Sequence, residues 1–309
     1  VDLQQLSAFD RIVREGSFSR AALALNIAQP TISARIRTLE EELGGPLLTR
    51  SNQGVQLTAL GVSFLPYARR ALGAMVEGTA AVQEAQAGQR GRVSIGVLGS
   101  LARFLLAPAL VTFQARHPTV DCYVRANDHW QLIELLYDGI VELAIITWPC
   151  VQPLTTDLKP LLHFRERAPL IVPRRHRFAA CPSVTQAEII ADDLRFLPLR
   201  WWQITPPAVA TLAARARFTV YVPSEIATYL VANGHAMGFF TEGYIAHELA
   251  NERVVAVPVA DLAPLYRESA LVQLERQSTL SPAAATMVRY IQERATQLGI
   301  LYEALSGHS

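Results

Sequence analysis

Apolar residues recur every three or four positions through the first 57 residues, and every second position or in short unbroken runs after residue 92. Two kinds of structure therefore follow one another along the chain. In "LQQLSAFDRIV" the residues Leu3, Leu6, Phe9 and Val13 share one helical face, and Gly16 ends the helix. Ser17 or Ser19 caps a second helix whose inward side is small, with Ala21, Ala22 and Ala24 flanked by Leu23 and Leu25 as anchors. After Asn26 the chain turns. Pro30 is tolerated in the first turn of a third helix, where Ile32, Ile36, Leu39 and Leu43 form one apolar stripe that Gly44 and Gly45 close. "PLLTRSNQGVQLT" sets two apolar runs around "SNQG" and predicts a β-hairpin. Three helices and a hairpin make residues 1–57 a winged helix-turn-helix.

Residues 58–86 carry one long helical pattern opened by Thr58, with Leu65, Ala68, Leu72, Met75, Thr79 and Val82 at the alternating spacing of a coiled-coil seam. Pro66 interrupts its regularity, and the Gly/Arg stretch "GQRGR" follows as a hinge near residue 91. A helix placed between a small unit and a linker has little of its own domain to pack on, which favours dimerisation through 58–86. From Arg92 the pattern alternates between strands such as "VSIGVLG", "TVDCYV" and "VELAIIT" and helices such as "HWQLIELLYDG". Further strands are predicted at "APLIVP", "DLRFLPL", "RFTVYV", "AMGFF", "RVVAVPV" and "ESALVQLE", with a closing helix in "SPAAATMVRYIQERATQLG". The expectation is α/β with parallel sheets, divided into two lobes by a break around Trp148 to Arg165.

Composition narrows this picture only in places. Half of the 309 residues are hydrophobic and the net charge is +1, so the chain folds, and bulk charge points to no polyanion or membrane surface. Lys159 is the single lysine among 28 basic residues, a chain-wide bias that removes weight from arginine counts. Cys122, Cys150 and Cys181 are far apart and lack metal-ligand spacing, which fits a reducing compartment and no structural zinc. With neither a leader-like start nor an 18-residue apolar run, a soluble cytoplasmic protein without membrane contact is expected.

Catalytic chemistry finds no foothold. There is no nucleophile elbow, phosphate loop or zincin motif, and His117, His129, His163, His176, His235 and His247 stand singly. No enzyme, cofactor or metal is expected. The third helix offers better chemistry, because a helix entering the major groove needs short polar side chains at its start. Gln29 reads adenine bidentately, Ser33 reaches a base or phosphate, and Thr31 offers a methyl and a hydroxyl. Arg35 and Arg37, with Arg50 and Gln53 in the wing, suit phosphate positioning. Six arginines and six acids leave residues 1–57 with zero net charge, so useful affinity requires two or more copies on one DNA.

The stretch from "LQQLSAFDRIVREGSFSRAALALNIAQPTISARIRTLEEELGGPLLTR" through "GVQLTALGVSFLPYARRAL" closely resembles the DNA-binding half of LysR-type transcriptional regulators. The likeness continues through "GRVSIGVLGSLARFLLAPALVTFQARHP", "LIELLYDGIVELAII" and "SEIATYLVANGHAMGFF" and covers nearly the whole chain in order. It implies a type II periplasmic-binding-protein-like effector domain over 92–309, with lobe I at about 92–162 and 267–305, lobe II at about 163–266, and two strands crossing between them. A small inducer lies between the lobes, and the oligomer, a dimer or more commonly a homotetramer, bends promoter DNA in response to it. RNA polymerase is a further partner that such a regulator admits. Two alternatives stay open: a thiol-based redox-sensing regulator of the same fold, and a solute-binding protein.

Carried across residue by residue, the resemblance places Gln29, Pro30, Thr31 and Ser33 on the recognition helix and Arg50 in the wing. Ala28 stands where a capping Ser or Thr is usual, and Ala34 where an arginine is common. For the inducer it implies Ser100 and Leu101 at a helix start, Asn127 to His129, Thr147 with Trp148, the run Arg200, Trp201, Trp202 and Gln203, and Ser224. Ser100 and the N–H groups after Gly99 suit a carboxylate. The tryptophans in or beside these segments suggest an aromatic-lined cleft, with Arg200 pairing an acid group, so the expected inducer is an aromatic or carboxylic acid.

Overall fold

The computed structural model describes residues 1–51, 54–87, 91–150, 157–199, 205–275 and 279–304. They fall into two units, Val1–Arg90 with Tyr137–Ile140, and Gly91–Leu136 with Val141–Ser309.

In the first unit Asp2 and Gln5 exchange side-chain and backbone hydrogen bonds at 2.7 Å, a capping box that opens α1 (Leu3–Glu15), and Gly16 ends it at φ 60°. Ser17 caps α2 (Phe18–Ala24) through the Arg20 N–H. α3 (Gln29–Leu43) then lies across both, with Phe9, Ile12, Ala21, Ile32 and Leu39 fully buried between them. The anchors of α2 differ from expectation. Leu23 is 82% exposed and Ala24 is exposed, because at 100° per residue Leu23 falls on the opposite side of a two-turn helix from Ala21. Leu43, last in the α3 stripe, is also exposed.

β1 (Leu48–Ser51) and β2 (Gly54–Leu57) pair antiparallel with Leu48 opposite Leu57. The Val55 N–H donates to the Gly16 carbonyl at 3.0 Å, tying the hairpin to the α1–α2 turn. Gly54, at φ +110°, passes so near that a Cβ would sit 2.9 Å from that same carbonyl. Glu40 of α3 accepts the N–H groups of Leu47 and Leu48 at 2.8 and 3.1 Å, which fixes the chain entering β1. α4 (Ala59–Ala87) opens as expected on Thr58, whose hydroxyl accepts from the Gly61 N–H and donates to the Pro46 carbonyl. Leu65 and Ala68 are buried, and Phe64 lies against Phe9 at 5.8 Å.

The second unit begins with β3 (Arg92–Leu98), which runs into α5 (Gly99–Leu101), a π-helical turn over Ala102–Leu106 and α6 (Ala107–Arg116). β4 (Asp121–Asn127), α7 (His129–Tyr137), β5 (Leu143–Thr147) and β6 (Leu158–Arg167) follow. Next come β7 (Leu170–Pro173), α8 (Gln186–Ala191), β8 (Arg195–Leu197), α9 (Pro207–Arg215), α10 (Ser224–Ala232), β9 (Ala236–Phe239), α11 (Glu242–Ala250) and β10 (Val254–Val257). β11 (Tyr266–Leu274), α12 (Pro282–Gln297) and β12 (Leu301–Ala304) complete the unit. One sheet has the order β12-β6-β11-β5-β3-β4 and the other β10-β7-β9-β8.

Both sheets are mixed where parallel sheets were expected. β3 runs parallel to β4 and β5, but β11 is antiparallel to β5 and β6, and β7 is antiparallel to β9 and β10. β6 occupies the stretch that read as a break. Its inward Leu158, Leu162, Phe164 and Glu166 alternate with Lys159, His163, Arg165 and Arg167, and this charge density disguised a strand. The "RFTVYV" segment contributes only an isolated bridge from Thr219 to Phe196, and β12 was not foreseen. The first sheet's core is built from Val93, Ile95, Val97, Phe113, Leu143, Ile145, Phe164 and Leu271 with Met287 and Ile291 of α12. The second has Leu170, Val172, Phe196 and Phe239 on one face and Ile171, Leu197, Phe240 and Ile245 on the other.

Candidate DNA-reading head and effector cleft

The start of α3 is turned outward. Ile32, Ile36 and Leu39 are buried while Gln29, Pro30 and Thr31 are exposed and Ser33 is half-buried, so the first turn presents its short polar side chains outward. No side chain caps this helix, in contrast to α1 and α2: Ala28 occupies the cap, and Pro30 removes one N–H that would otherwise need a partner. The two arginines differ. Arg35 is half-buried and donates to Gln4 Oε1 at 2.8 Å, which turns it toward α1, whereas Arg37 is 79% exposed and only loosely paired with Glu41 at 3.6 Å. The backbone of Arg50 pairs with Val55 in the wing; the Arg50 side chain and Gln53 lie outside the described residues.

In the second unit Ser100, Asn127, His129 and Thr147 lie at or just after the carboxyl ends of the parallel strands β3, β4 and β5, where ligands of open α/β sheets bind. Leu98 at the end of β3 pairs with Asn127 at the end of β4, so Ser100, starting α5, stands beside the Asn127–His129 segment. Thr147 ends β5 and pairs with Ser269 of β11. Asn127 Nδ2 donates to Gln131 Oε1 at 3.0 Å, and Asp128 caps α7 through the Gln131 N–H. Trp148 is half-buried and precedes a cis proline; Trp130 is 43% exposed and meets His129 edge-on at 4.6 Å. Ser224 opens α10, and its neighbour Glu225 places Oε1 3.7 Å from where a Cβ on Gly99 would lie. Leu101 is a correction: its side chain is fully buried in the first sheet's core, leaving only its backbone for a ligand. Arg200, Trp201, Trp202 and Gln203 lie outside the described residues.

Two groups escaped sequence reasoning. Arg267 in β11 and Glu166 in β6, 1% and 2% exposed, stand directly opposite one another in the antiparallel register. Arg267 donates through Nε to Glu166 Oε2 at 2.9 Å and again through Nη2, and its Nη1 donates to Ser100 Oγ at 2.5 Å. The signal was present in "HFRER" and "YRES", charged residues on the inward beat of otherwise apolar strands. His129 is 9% exposed, and burial pushes its pKa down to about 4 against a small opposing effect of Asp128, so the imidazole is neutral near pH 7. Its Nε2 lies 3.6 Å from the Cys150 thiol.

The cysteines are free. Burial, with the Asp121 charge beside it, pushes the Cys122 thiol up and away from the reactive thiolate. Among the described residues no group of three or more His, Cys, Asp or Glu could hold a metal ion, and no helix is long and apolar enough to cross a membrane. A hollow of about 420 Å³ in the second sheet's lobe is lined by His176, Arg177 and Asp192. These groups satisfy each other, Arg177 Nη2 meeting Asp192 at 2.7 Å and His176 at 3.2 Å from the same carboxylate.

A winged helix-turn-helix ahead of two α/β lobes is the architecture of a ligand-responsive DNA-binding protein. Residues 3–62 match the model of the bacterial regulatory helix-turn-helix protein, lysR family, and residues 86–296 match the LysR substrate binding domain, so the chain belongs to the LysR family. Over 197 residues, 64% of this chain, it is 32% identical to the probable RuBisCO transcriptional regulator of Gracilaria tenuistipitata var. liui. It is 30% identical over 203 residues to the HTH-type transcriptional regulator AlsR of Bacillus subtilis (strain 168), and in both cases the match spans 63% of the relative, somewhat less than two thirds. The fold is shared with ArgP from Mycobacterium tuberculosis at TM-score 0.56 and 23% identity, covering 96% of this chain and 98% of that one. A full-length OxyR variant from Pseudomonas aeruginosa gives TM-score 0.55 at 20% identity, covering 96% and 94%.

Proposed function

We propose that this chain is a transcription regulator whose winged head reads promoter DNA with Gln29, Thr31 and Ser33, while Arg37 and the wing hold phosphates. The observation that carries the reading is the outward polar first turn of α3, held down by Ile32, Ile36 and Leu39 and braced by the Glu40 carboxylate against the wing. A small effector occupies the cleft near Ser100, Asn127, Thr147 and Ser224 and shifts the arrangement of the heads. Dimerisation runs through residues 58–86: Leu65 and Ala68 are used within the chain, but Met75, Thr79 and Val82 on the same seam are exposed. A homotetramer follows if the dimers pair in turn. A gel-shift on DNA carrying the family's interrupted dyad tests the reading. The wild type should bind in preference to a scrambled site, and full retention of binding by the Gln29→Ala, Ser33→Ala double variant would refute the base-reading roles.

A further inference from the structure

We infer that one face of the winged head, formed by Arg11, Arg14, Arg69 and Val76, is a docking surface for the Tyr137–Ile140 turn at the end of α7, and that α7 thereby links the segment Asn127–His129 to the head by a route that bypasses residues 58–91. The regulatory use of that route rests on the function proposed above; the docking does not.

Tyr137–Ile140 belongs to the first unit, although the chain reaches this turn from α7 and leaves it for β5. Asp138 accepts from Arg11 Nη2 at 3.1 Å and from Arg14 Nη1 at 3.0 Å, two residues on the same side of α1. Tyr137 is buried, and the guanidinium carbons of Arg14 and Arg69 lie 4.8 and 4.5 Å from its ring centroid, within cation–π range. A Cβ on Gly139 would sit 1.9 Å from Val76 Cγ1, so only a residue without one lets the turn close on α4, and its φ of +64° suits glycine as well. An exposed ion pair alone would mean little. Here charge, ring and steric fit converge on three consecutive residues.

The head does not need the turn to satisfy its own charges. Arg14 and Arg69 both hold Asp10, at 2.5 and 2.9 Å, and Arg11 has Glu15 at 4.0 Å on its own helix. Undocking therefore strands no buried cation, which is what makes breaking a buried pair costly. Asp138, whose side chain is 33% exposed, returns to water when it leaves. The same sequence thus supports a docked and an undocked state, the kind of two-state element that a remote ligand biases.

α7 is fit to carry that bias. Leu132, Ile133 and Leu136 bury one side of it, and Gly96 of β3 lets the Leu132 side chain so close that a Cβ there would lie 2.8 Å from Leu132 Cδ2. Asp128 fixes the start of α7 by accepting from the Gln131 N–H at 3.0 Å, and its last residue, Tyr137, is already in the docked turn. A displacement at Asn127–His129 therefore reaches Tyr137 and Asp138 within a single helix about 13 Å long. Coupling of this kind is reciprocal, so an event at the head must also register at the start of α7.

The tests use the full chain. Val76→Cys with Gly139→Cys should give a disulfide within one chain under mild oxidation, assigned by peptide mapping against Cys122, Cys150 and Cys181. A disulfide joining two chains would make a second copy the occupant and overturn the docking within the chain. Because any side chain at φ +64° is strained, stability gives a second measure: Gly139→Ala should lower the melting temperature, and by less in a Val76→Ala background. An equal loss in both backgrounds, with no disulfide, overturns the docking. The route along α7 is read by hydrogen exchange with DNA carrying the interrupted dyad. Adding that DNA to the wild type should change amide exchange over residues 127–133 by about twofold or more. Asp138→Arg, which sets a cation against Arg11 and Arg14 and leaves α3 untouched, should still bind the DNA and lose the response. A response that survives Asp138→Arg, or a wild type that binds the DNA without one, overturns the route and leaves the DNA reading standing. A wild type that does not bind the DNA removes the DNA reading and the route together, while the disulfide and the melting temperatures still decide the docking.

Discussion

Asp10 Oδ1 accepts from Arg69 Nε at 2.9 Å with both side chains buried, which fastens α1 to α4. Arg14 Nη2 reaches the same carboxylate at 2.5 Å. Burial disfavours the Asp10 charge, but the two guanidiniums outweigh it and hold the carboxyl below its ordinary 3.8. Asp10→Asn removes the anion that Arg69 and Arg14 share, Arg14 keeping Asp138 at 3.0 Å, and should cost the head about 3 kcal/mol, read as a lower melting temperature by circular dichroism. Because the folded pKa is depressed, the carboxylate's contribution is complete above pH 3.8 and disappears as pH falls through the lower folded value. Acid titration of the wild type should therefore show a loss of stability below about pH 4 that the asparagine variant lacks; equal slopes would remove the pair from the account.

Two glycines of α4 should respond in opposite directions to alanine. A Cβ on Gly61 would sit 2.1 Å from the Leu47 carbonyl and 2.9 Å from Leu57 Cδ2, where backbone cannot give way. Gly61→Ala should lose about 1–3 kcal/mol or more and loosen the wing. Gly78 has nothing within 4 Å of its would-be Cβ, so Gly78→Ala should gain about 0.5–1 kcal/mol from helix propensity. Chemical denaturation of both variants checks the pair, and a neutral Gly61→Ala would contradict the close approach of α4 to the hairpin.

What the sequence revealed and what it hid divide along physical lines. Local signals were readable: Gly16 and Gly44 as helix ends and Thr58 as a cap follow from the conformations those residues favour, and of the two serines offered as caps for α2, Ser17 is the one used. Readings that depended on long-range pairing failed. β6 is a strand because β11 and β12 lie on either side of it, and in the sequence most of it had read as part of a break between the lobes. Leu23 looked like an anchor because leucine usually is, yet only helix phase decides its direction. Ser100 was singled out by the family resemblance alone, whereas its partner Arg267 lies 167 positions away and only the β6–β11 register brings it there.

Under the proposed reading, exposure and pairing in α3 assign Gln29 to base reading and Arg37 to phosphate contact, with Arg35 held back. Gln29→Ala should cost about 1–3 kcal/mol on the preferred site and relax selectivity at one base, with little effect on non-specific binding. Arg37→Ala should weaken all sequences alike and lower the salt dependence of binding by about one counterion. Arg35 is turned toward Gln4, so its loss should move the salt slope less than that of Arg37 and lower the melting temperature more. Salt-dependent binding isotherms for the three variants on specific and scrambled DNA distinguish these roles; a larger slope change for Arg35→Ala would reverse them.

His129 gives the effector domain a pH dependence of its own. Burial holds the imidazole neutral down to about pH 4, while in the unfolded chain it takes up a proton near 6.5. Between those values the unfolded state binds more protons than the folded one, so stability falls as pH drops from 6.5 and levels off below about 4. The separation of the two values corresponds to about 3 kcal/mol. The direction is opposite to that of a histidine held by a carboxylate, whose contribution would grow on acidification. His129→Gln should flatten this part of the stability profile, and the His129 ring signals in the wild type should keep their neutral-form NMR shifts at about pH 5.5, between the folded and unfolded values. A protonated ring at that pH would mean that water reaches the buried imidazole, and burial would then not be what sets its titration.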